Sequence, residues 1–146
     1  MNLIILAVGR MKKSPESAIM DTYLKRCPWQ VKVIEVEEKR PIKGPERMAR
    51  EGDLILNAIP DGATVIALDE RGKEMRSTVF AEKIRSFQDQ GIQNLVFLIG
   101  GADGYDEKVK NRANQLISFG QMTWPHMMVR AMLSEQLYRA TTILQG

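Results

Sequence analysis

Three stretches of this chain are near-continuously apolar, without alternation: Leu3 to Val8, Ala63 to Leu68 (broken only by Thr64), and Leu95 to Ile99, the last running straight into Gly100-Gly101-Ala102-Asp103-Gly104. A strand with one wet face alternates apolar and polar residues, whereas an unbroken apolar run fits a strand covered on both faces. Helical patterns fill the spaces between the runs. Ser14-Pro15-Glu16 opens a helix that carries Ile19, Met20, Tyr23 and Leu24 inward, and Pro28 ends it. Glu46 to Ala58 places Met48, Leu54, Ile55 and Ala58 roughly on one face. Ser77 is expected to cap a helix through about Gln88, Tyr105 to Arg112 to form a short helix, and Pro125 to about Thr142 the last one. Val31 to Val36 reads as a more exposed strand and Gln115 to Ser118 as a short fifth, with Asp69 to Lys73 turning the chain. The expected architecture is an α/β fold, a mostly parallel sheet covered by helices on both faces, in one domain over residues 1–146.

Composition narrows the function. No apolar run approaches the roughly 18–20 residues of a membrane span. The N-terminal Met1 to Gly9 lacks a basic leader and reads as a strand, so a cytoplasmic location is expected. One cysteine, Cys27, leaves no internal disulfide or CxxC pair, and one histidine, His126, offers too few ligands for a His-based metal site, so no metal is expected. Net charge is +3, and Lys12, Lys13, Lys25, Arg26, Lys32, Lys39, Arg40, Lys43, Arg47 and Arg50 crowd the N-terminal third, partly balanced by Glu35, Glu37 and Glu38. That excess reads either as a solvated face or as a surface for RNA. From Ala113 onward only Arg130, Glu135 and Arg139 carry charge, so the terminal segment reads as core or subunit interface.

The glycine loop after Ile99 has the order GGxxG, which is neither the dinucleotide fingerprint nor a P-loop. With Leu68-Asp69 and the uncharged run Phe119 to Trp124 at neighbouring strand ends, it frames a pocket rich in backbone groups. Such a pocket suits a nucleoside with a neutral or cationic tail better than a triphosphate. No Ser–His–Asp arrangement or pair of carboxylates is defensible, and a reaction whose cofactor brings the reactive group needs none. On the last helix His126, Arg130, Ser134 and Tyr138 follow at i, i+4 spacing, a polar stripe expected to face solvent or a partner subunit, with Glu135 and Arg139 paired beside it. A lone cation such as Arg130 in so apolar a segment calls for an anion, expected from another molecule.

The segments LIILAVGR, VIALDERGK, LVFLIGGADGY and ISFGQMTWPHMMVRAMLSEQLYRA resemble the RlmH family, of the SPOUT class of methyltransferases, across nearly the whole chain. The resemblance implies a sheet whose C-terminal part is tied in a trefoil knot and a homodimer with active sites at the subunit interface. It also implies S-adenosyl-L-methionine as cofactor and methylation of ring nitrogen 3 of a pseudouridine in 23S ribosomal RNA, in the large subunit or the assembled ribosome. Carried over by position, the cofactor contacts fall on Leu68, Gly100, Phe119, Gly120, Gln121, Met122, Thr123 and Trp124. His126, Arg130, Glu135, Tyr138 and Arg139 fall on the substrate side, with His126, Arg130, Tyr138 and Arg139 as the catalytic set. Members of that family carry a short Tyr-His tail beyond the last helix, where this sequence ends Ile143-Leu144-Gln145-Gly146; the tail's substrate contacts are expected to be missing while cofactor binding is not. Two other readings remain: a non-catalytic ribosome- or RNA-binding module of the same fold, and a SPOUT enzyme acting on transfer RNA.

Overall fold

Ser14 starts the first helix as its chemistry dictates. Its side chain accepts the Ser17 amide at 3.1 Å while Ser17 Oγ accepts the Ser14 amide at 2.9 Å, so two orphan donors are satisfied reciprocally. The computed structural model describes all 146 residues. Five strands alternate with five helices: β1 (Asn2–Val8), α1 (Pro15–Arg26), β2 (Val31–Val36), α2 (Gly44–Ala58), β3 (Thr64–Glu74), α3 (Ser77–Asp89), β4 (Asn94–Ile99), α4 (Glu107–Arg112), β5 (Gln115–Ser118) and α5 (His126–Gln145). All pairings are parallel, in the order β2-β1-β4-β3-β5.

The unbroken apolar runs become β1, β3 and β4, and side chains of both parities are buried. Leu3, Ile5, Ile66, Leu95 and Phe97 pack with α1, α3 and α5, whereas Ile4, Leu6, Val65, Val96 and Leu98 pack with α2 and α4. A fully buried aliphatic or aromatic side chain contributes roughly 1.5–3 kcal/mol, so these strands hold the three layers together. β2, with its Lys32 and Glu35, is an exposed edge as its alternation requires.

Several boundaries differ from the sequence expectation, each for a local reason. β3 does not turn at Asp69: it runs to Glu74, with a bulge between Leu68 and Lys73, both of which pair with Ile117 of β5. The polar and glycine content of Asp69 to Lys73 marks the bulge rather than a chain reversal. α2 begins at Gly44, because Pro45 is tolerated in a first turn. Ser77 is the first residue of α3 and not its cap; its hydroxyl donates to Gln136 Oε1 of α5 at 2.8 Å. Tyr105 precedes α4, whose cap is Asp106, and α5 extends to Gln145 with Pro125 in the cap position. Ile19 does not face inward; it stays 47% exposed beside the buried Met20.

Candidate active site

β4 ends at Ile99 and β5 at Ser118, level with Leu68, where β3 enters its bulge; Leu68 lies opposite both Ile99 and Ile117. After β3 the chain leaves for α3 on one face, and after β4 for α4 on the other. Loops that diverge in this way open a crevice at the strands' C-terminal edge. The crevice is a cleft of about 200 Å³ whose walls include Leu68, Gly100, Phe119, Gly120, Met122, Thr123, Trp124 and His126. Seven of the eight residues the resemblance assigned to the cofactor therefore meet in one place. Gln121 does not line the cleft and is exposed.

Local chemistry shapes each wall. The β3 bulge is possible because residue 72 is glycine: a Cβ there would lie 2.6 Å from the Ile117 backbone. Asp69 Oδ1 accepts the Arg71 amide at 2.8 Å, and the Thr123 hydroxyl donates to the Glu70 carboxylate, which ties the bulge to the loop after β5. That loop is itself turned by Ser118, whose Oγ accepts the Gly120 amide at 3.0 Å and donates to the Gly120 carbonyl at 2.6 Å. Gly100 and Gly101 make room for the chain's own groups. A Cβ on Gly100 would meet the Tyr105 ring at 3.0 Å, and one on Gly101 would meet Val8 at 3.0 Å and Glu51 Oε1 at 3.2 Å. The buried Tyr105 hydroxyl lies 3.0 Å from the Leu68 carbonyl and 2.9 Å from the Leu98 carbonyl, sharing its proton between two strand ends. Burial pushes this phenol well above its ordinary value, so it stays a donor. Tyr105 was not expected as a site-shaping residue; its place directly after the glycine loop was the available signal.

The helix α5 residues divide. His126 sits on the cleft wall with Nδ1 buried and unpartnered. Burial, then the charge of Arg130, holds its imidazole below the ordinary 6.5, with Glu51 acting in the opposite direction. Arg130 does not await an anion from another molecule. It is 1% exposed, one Nη donates to the Glu35 carboxylate, and the other donates to the carbonyls of Gly9 at 2.8 Å and Val8 at 3.2 Å. Ser134 is also fully buried, donating to the Arg130 carbonyl at 2.8 Å. The polar stripe therefore faces this chain's own interior at Arg130 and Ser134, because β2 supplies the carboxylate and β1 the carbonyls. Tyr138 packs against Tyr23 of α1, the rings tilted with centroids 5.8 Å apart, and Arg139 pairs with Glu135 at 2.9 Å as its i, i+4 spacing allows. At about 1.5 Å per residue both lie roughly 18 Å along the helix from His126, so one chain does not bring them to its own cleft.

A crevice at the C-terminal edge of a parallel sheet, bounded by the loops after β4 and β5 and by Asp69, Glu70 and Arg71 of β3, defines a small-molecule site of an open α/β fold. The family described as "Predicted SPOUT methyltransferase" matches residues 1–146, and the chain belongs to it. Among its relatives are proteins named "Ribosomal RNA large subunit methyltransferase H": that of Paramagnetospirillum magneticum is 51% identical over 100% of this chain and 96% of its own length, and that of Rhodospirillum centenum 45% identical with the same coverage. A crystal structure described as a probable methyltransferase from Bordetella pertussis superposes with a TM-score of 0.60 at 11% identity, covering 94% of this chain and 95% of that one. Archaeoglobus fulgidus Nep1 bound to S-adenosylhomocysteine superposes with a TM-score of 0.51 at 13% identity, covering 88% of this chain and 71% of its own. At such identities these two speak for the fold alone.

Proposed function

We propose that two copies of this chain form an S-adenosylmethionine-dependent enzyme that methylates ring nitrogen 3 of a pseudouridine in the 23S RNA of the ribosomal large subunit, in the cytoplasm. The observation that carries the reading is the convergence of Leu68, Gly100 and the Phe119 to Trp124 loop on one cleft, in a chain whose relatives bear the name of that activity. The donor set fits such a cofactor. Leu68, Ile99, Phe119, Met122, Trp124 and Val129 offer apolar surface for an adenosine, the loops offer backbone amides and carbonyls, and Asp69 and Glu70 suit a cationic centre.

When bound, S-adenosylmethionine supplies a methyl group already activated on a sulfonium. The protein's remaining task is to orient the acceptor nitrogen and manage its proton. Imide nitrogen 3 loses a proton on methylation, and a guanidinium stabilises the charge that spreads to the flanking carbonyl oxygens. In one chain Arg130 is occupied by Glu35 and β1, so its part is positioning: it fixes the start of α5, and with it His126, against the sheet. Tyr138 and Arg139 reach a cleft only from a second copy. A groove of about 660 Å³ between α1 and α5 supports that arrangement, being lined by Ile19, Tyr23, Met75, Met128 and Met132 and continuous with the cleft at Phe119-Gly120. Met128, 37% exposed, lines it, and Met122 at 77% and Trp124 at 41% line the adjoining cleft, apolar surface that a dimer would cover. The trefoil knot of the family would involve the segment from β4 onward, where α5 returns to pack on α1 and α3.

The test is incubation with methyl-labelled S-adenosylmethionine and assembled ribosomes lacking the modification, with naked ribosomal RNA and transfer RNA alongside. Label on large-subunit RNA is expected. Label on transfer RNA alone, or on no RNA with cofactor binding intact, contradicts the proposal.

A further inference from the structure

A second cleft of about 350 Å³ adjoins the first, and the two share Gly101, Ala102 and His126 as a common wall. Its floor holds Glu51 of α2, 4% exposed. Arg47 Nε donates to Glu51 Oε2 at 3.1 Å, whereas Oε1 is buried with no hydrogen-bond partner in the chain. A buried carboxylate oxygen without a donor is costly enough to need a reason. The rim has the opposite character, with Lys43, Gly44 and Arg47 at the start of α2; Asp103, 3.9 Å from Arg47, is its one carboxylate. A cationic rim over an acceptor floor matches a nucleotide entering base first, phosphate outward. Because Gly101, Ala102 and His126 border both clefts, a base held in the second adjoins the cleft assigned above to the methyl donor.

We infer that Glu51 Oε1 selects the base to be methylated, by accepting the N–H of ring nitrogen 1 that pseudouridine carries and uridine lacks. This rests on the pseudouridine reading of the preceding subsection. In pseudouridine the ribose is attached at carbon 5, so nitrogen 1 keeps a proton; in uridine the same nitrogen bears the ribose and offers no donor. A carboxylate has acceptors only, and it fits a ring N–H. Its Arg47 partner keeps the second oxygen engaged and leaves Oε1 as the open acceptor. A site built around such an acceptor rejects a ligand lacking the donor, because the carboxylate is then left buried and unpaired.

The test uses the full chain, labelled S-adenosylmethionine, and large subunits reconstituted with uridine, pseudouridine or N1-methylpseudouridine at the target position. Wild-type protein is expected to methylate the pseudouridine particle at least about 10- to 100-fold more efficiently than either of the others, the worth of one charge-assisted hydrogen bond. Glu51→Gln and Glu51→Ala are expected to lower kcat/KM on pseudouridine and shrink that ratio toward one, with S-adenosylmethionine affinity unchanged. Equal methylation of pseudouridine and N1-methylpseudouridine by wild type overturns the inference without any variant having to fold, and leaves the methyltransferase reading standing. An undiminished ratio in either variant also overturns it. No methylation of any particle by wild type overturns the function proposed above, and this inference with it.

Discussion

Arg130 of α5 donates to the carboxylate of Glu35 on β2, a partner 95 residues earlier in the chain. Glu35 also accepts the Met11 amide at 2.8 Å, so one carboxylate ties the last helix, the β1–α1 connection and the edge strand together. Removing one member of a buried pair leaves the other uncompensated. Arg130→Ala is therefore expected to cost about 3 kcal/mol or more of folding stability. Glu35→Gln should cost less, because the amide oxygen can still accept from the guanidinium, whose other Nη keeps the Gly9 and Val8 carbonyls. Burial alone would raise the Glu35 carboxyl; the Met11 amide and Arg130 outweigh it and hold the group below its ordinary 4.5. An acid depressed in the folded state contributes stability above its unfolded value and loses it as pH falls through the folded one. Denaturant unfolding from pH 6 to pH 3 should show that loss in wild type and a shallower one in Glu35→Gln. Parallel curves would show that the pair has no such role.

His126 is the only histidine, so one imidazole resonance reports on it without assignment. Its midpoint is expected below 6.5, because burial and then Arg130 disfavour the cation. The sign for stability follows: the neutral form is favoured in the fold, so stability is complete above about 6.5 and declines as pH drops below it. A midpoint at or above 6.5 would contradict this environment. Turnover near wild type in His126→Ala would remove the residue from the proton-handling step.

Tyr105→Phe keeps the ring under Gly100 but withdraws the donor from the Leu68 and Leu98 carbonyls. A loss of about 1–2 kcal/mol is expected by thermal or denaturant unfolding, together with weaker S-adenosylmethionine binding by calorimetry, since the two strand ends it ties are the cleft floor. Unchanged cofactor affinity would separate the tyrosine from the site.

Gly72→Ala tests the β3 bulge. A Cβ at 2.6 Å from the Ile117 backbone cannot be accommodated without moving β5. Destabilisation of at least about 2 kcal/mol is expected, an overpacking cost with no flexible side chain to absorb it. A wild-type melting temperature would show that β3 and β5 separate more easily than their register implies.

The strands were legible where burial dictated composition. The runs Leu3 to Val8 and Leu95 to Ile99 have no polar residue because both faces are covered, and Gln115 to Ser118 is the fifth strand as read. The loops that line the cleft were legible as segments directly after strands, which parallel pairing brings to one edge of the sheet. Pairings made across the chain were not. Nothing near Arg130 announces Glu35, and nothing near Glu51 announces that its carboxylate lies under Gly101, since both contacts exist only after the sheet is ordered β2-β1-β4-β3-β5. The turn expected at Asp69 to Lys73 failed for a related reason: the residues that favour turns also favour bulges, and only the pairing with β5 decides between them.

The shared-site arrangement has its own test in mixed dimers. Gly100→Arg fills the space the Tyr105 ring occupies and is expected to abolish cofactor binding, while Arg139→Ala removes a side chain that, in the proposed dimer, reaches the cleft of the other copy. Each variant alone should be nearly inactive, and co-refolded mixtures should regain up to about a quarter of wild-type turnover, from the heterodimer's one intact site. Mixtures as inactive as their parents would argue for sites confined to single chains.

The most direct measurement is mass spectrometry of nucleosides digested from large-subunit RNA after incubation of modification-deficient ribosomes with this protein and deuterated S-adenosylmethionine. The expected product is a deuterium-labelled N3-methylpseudouridine at one position in the 23S RNA. A labelled methyl group on any other base or ring atom, or unlabelled RNA from ribosomes mixed with protein that binds the cofactor, would contradict the proposed reaction.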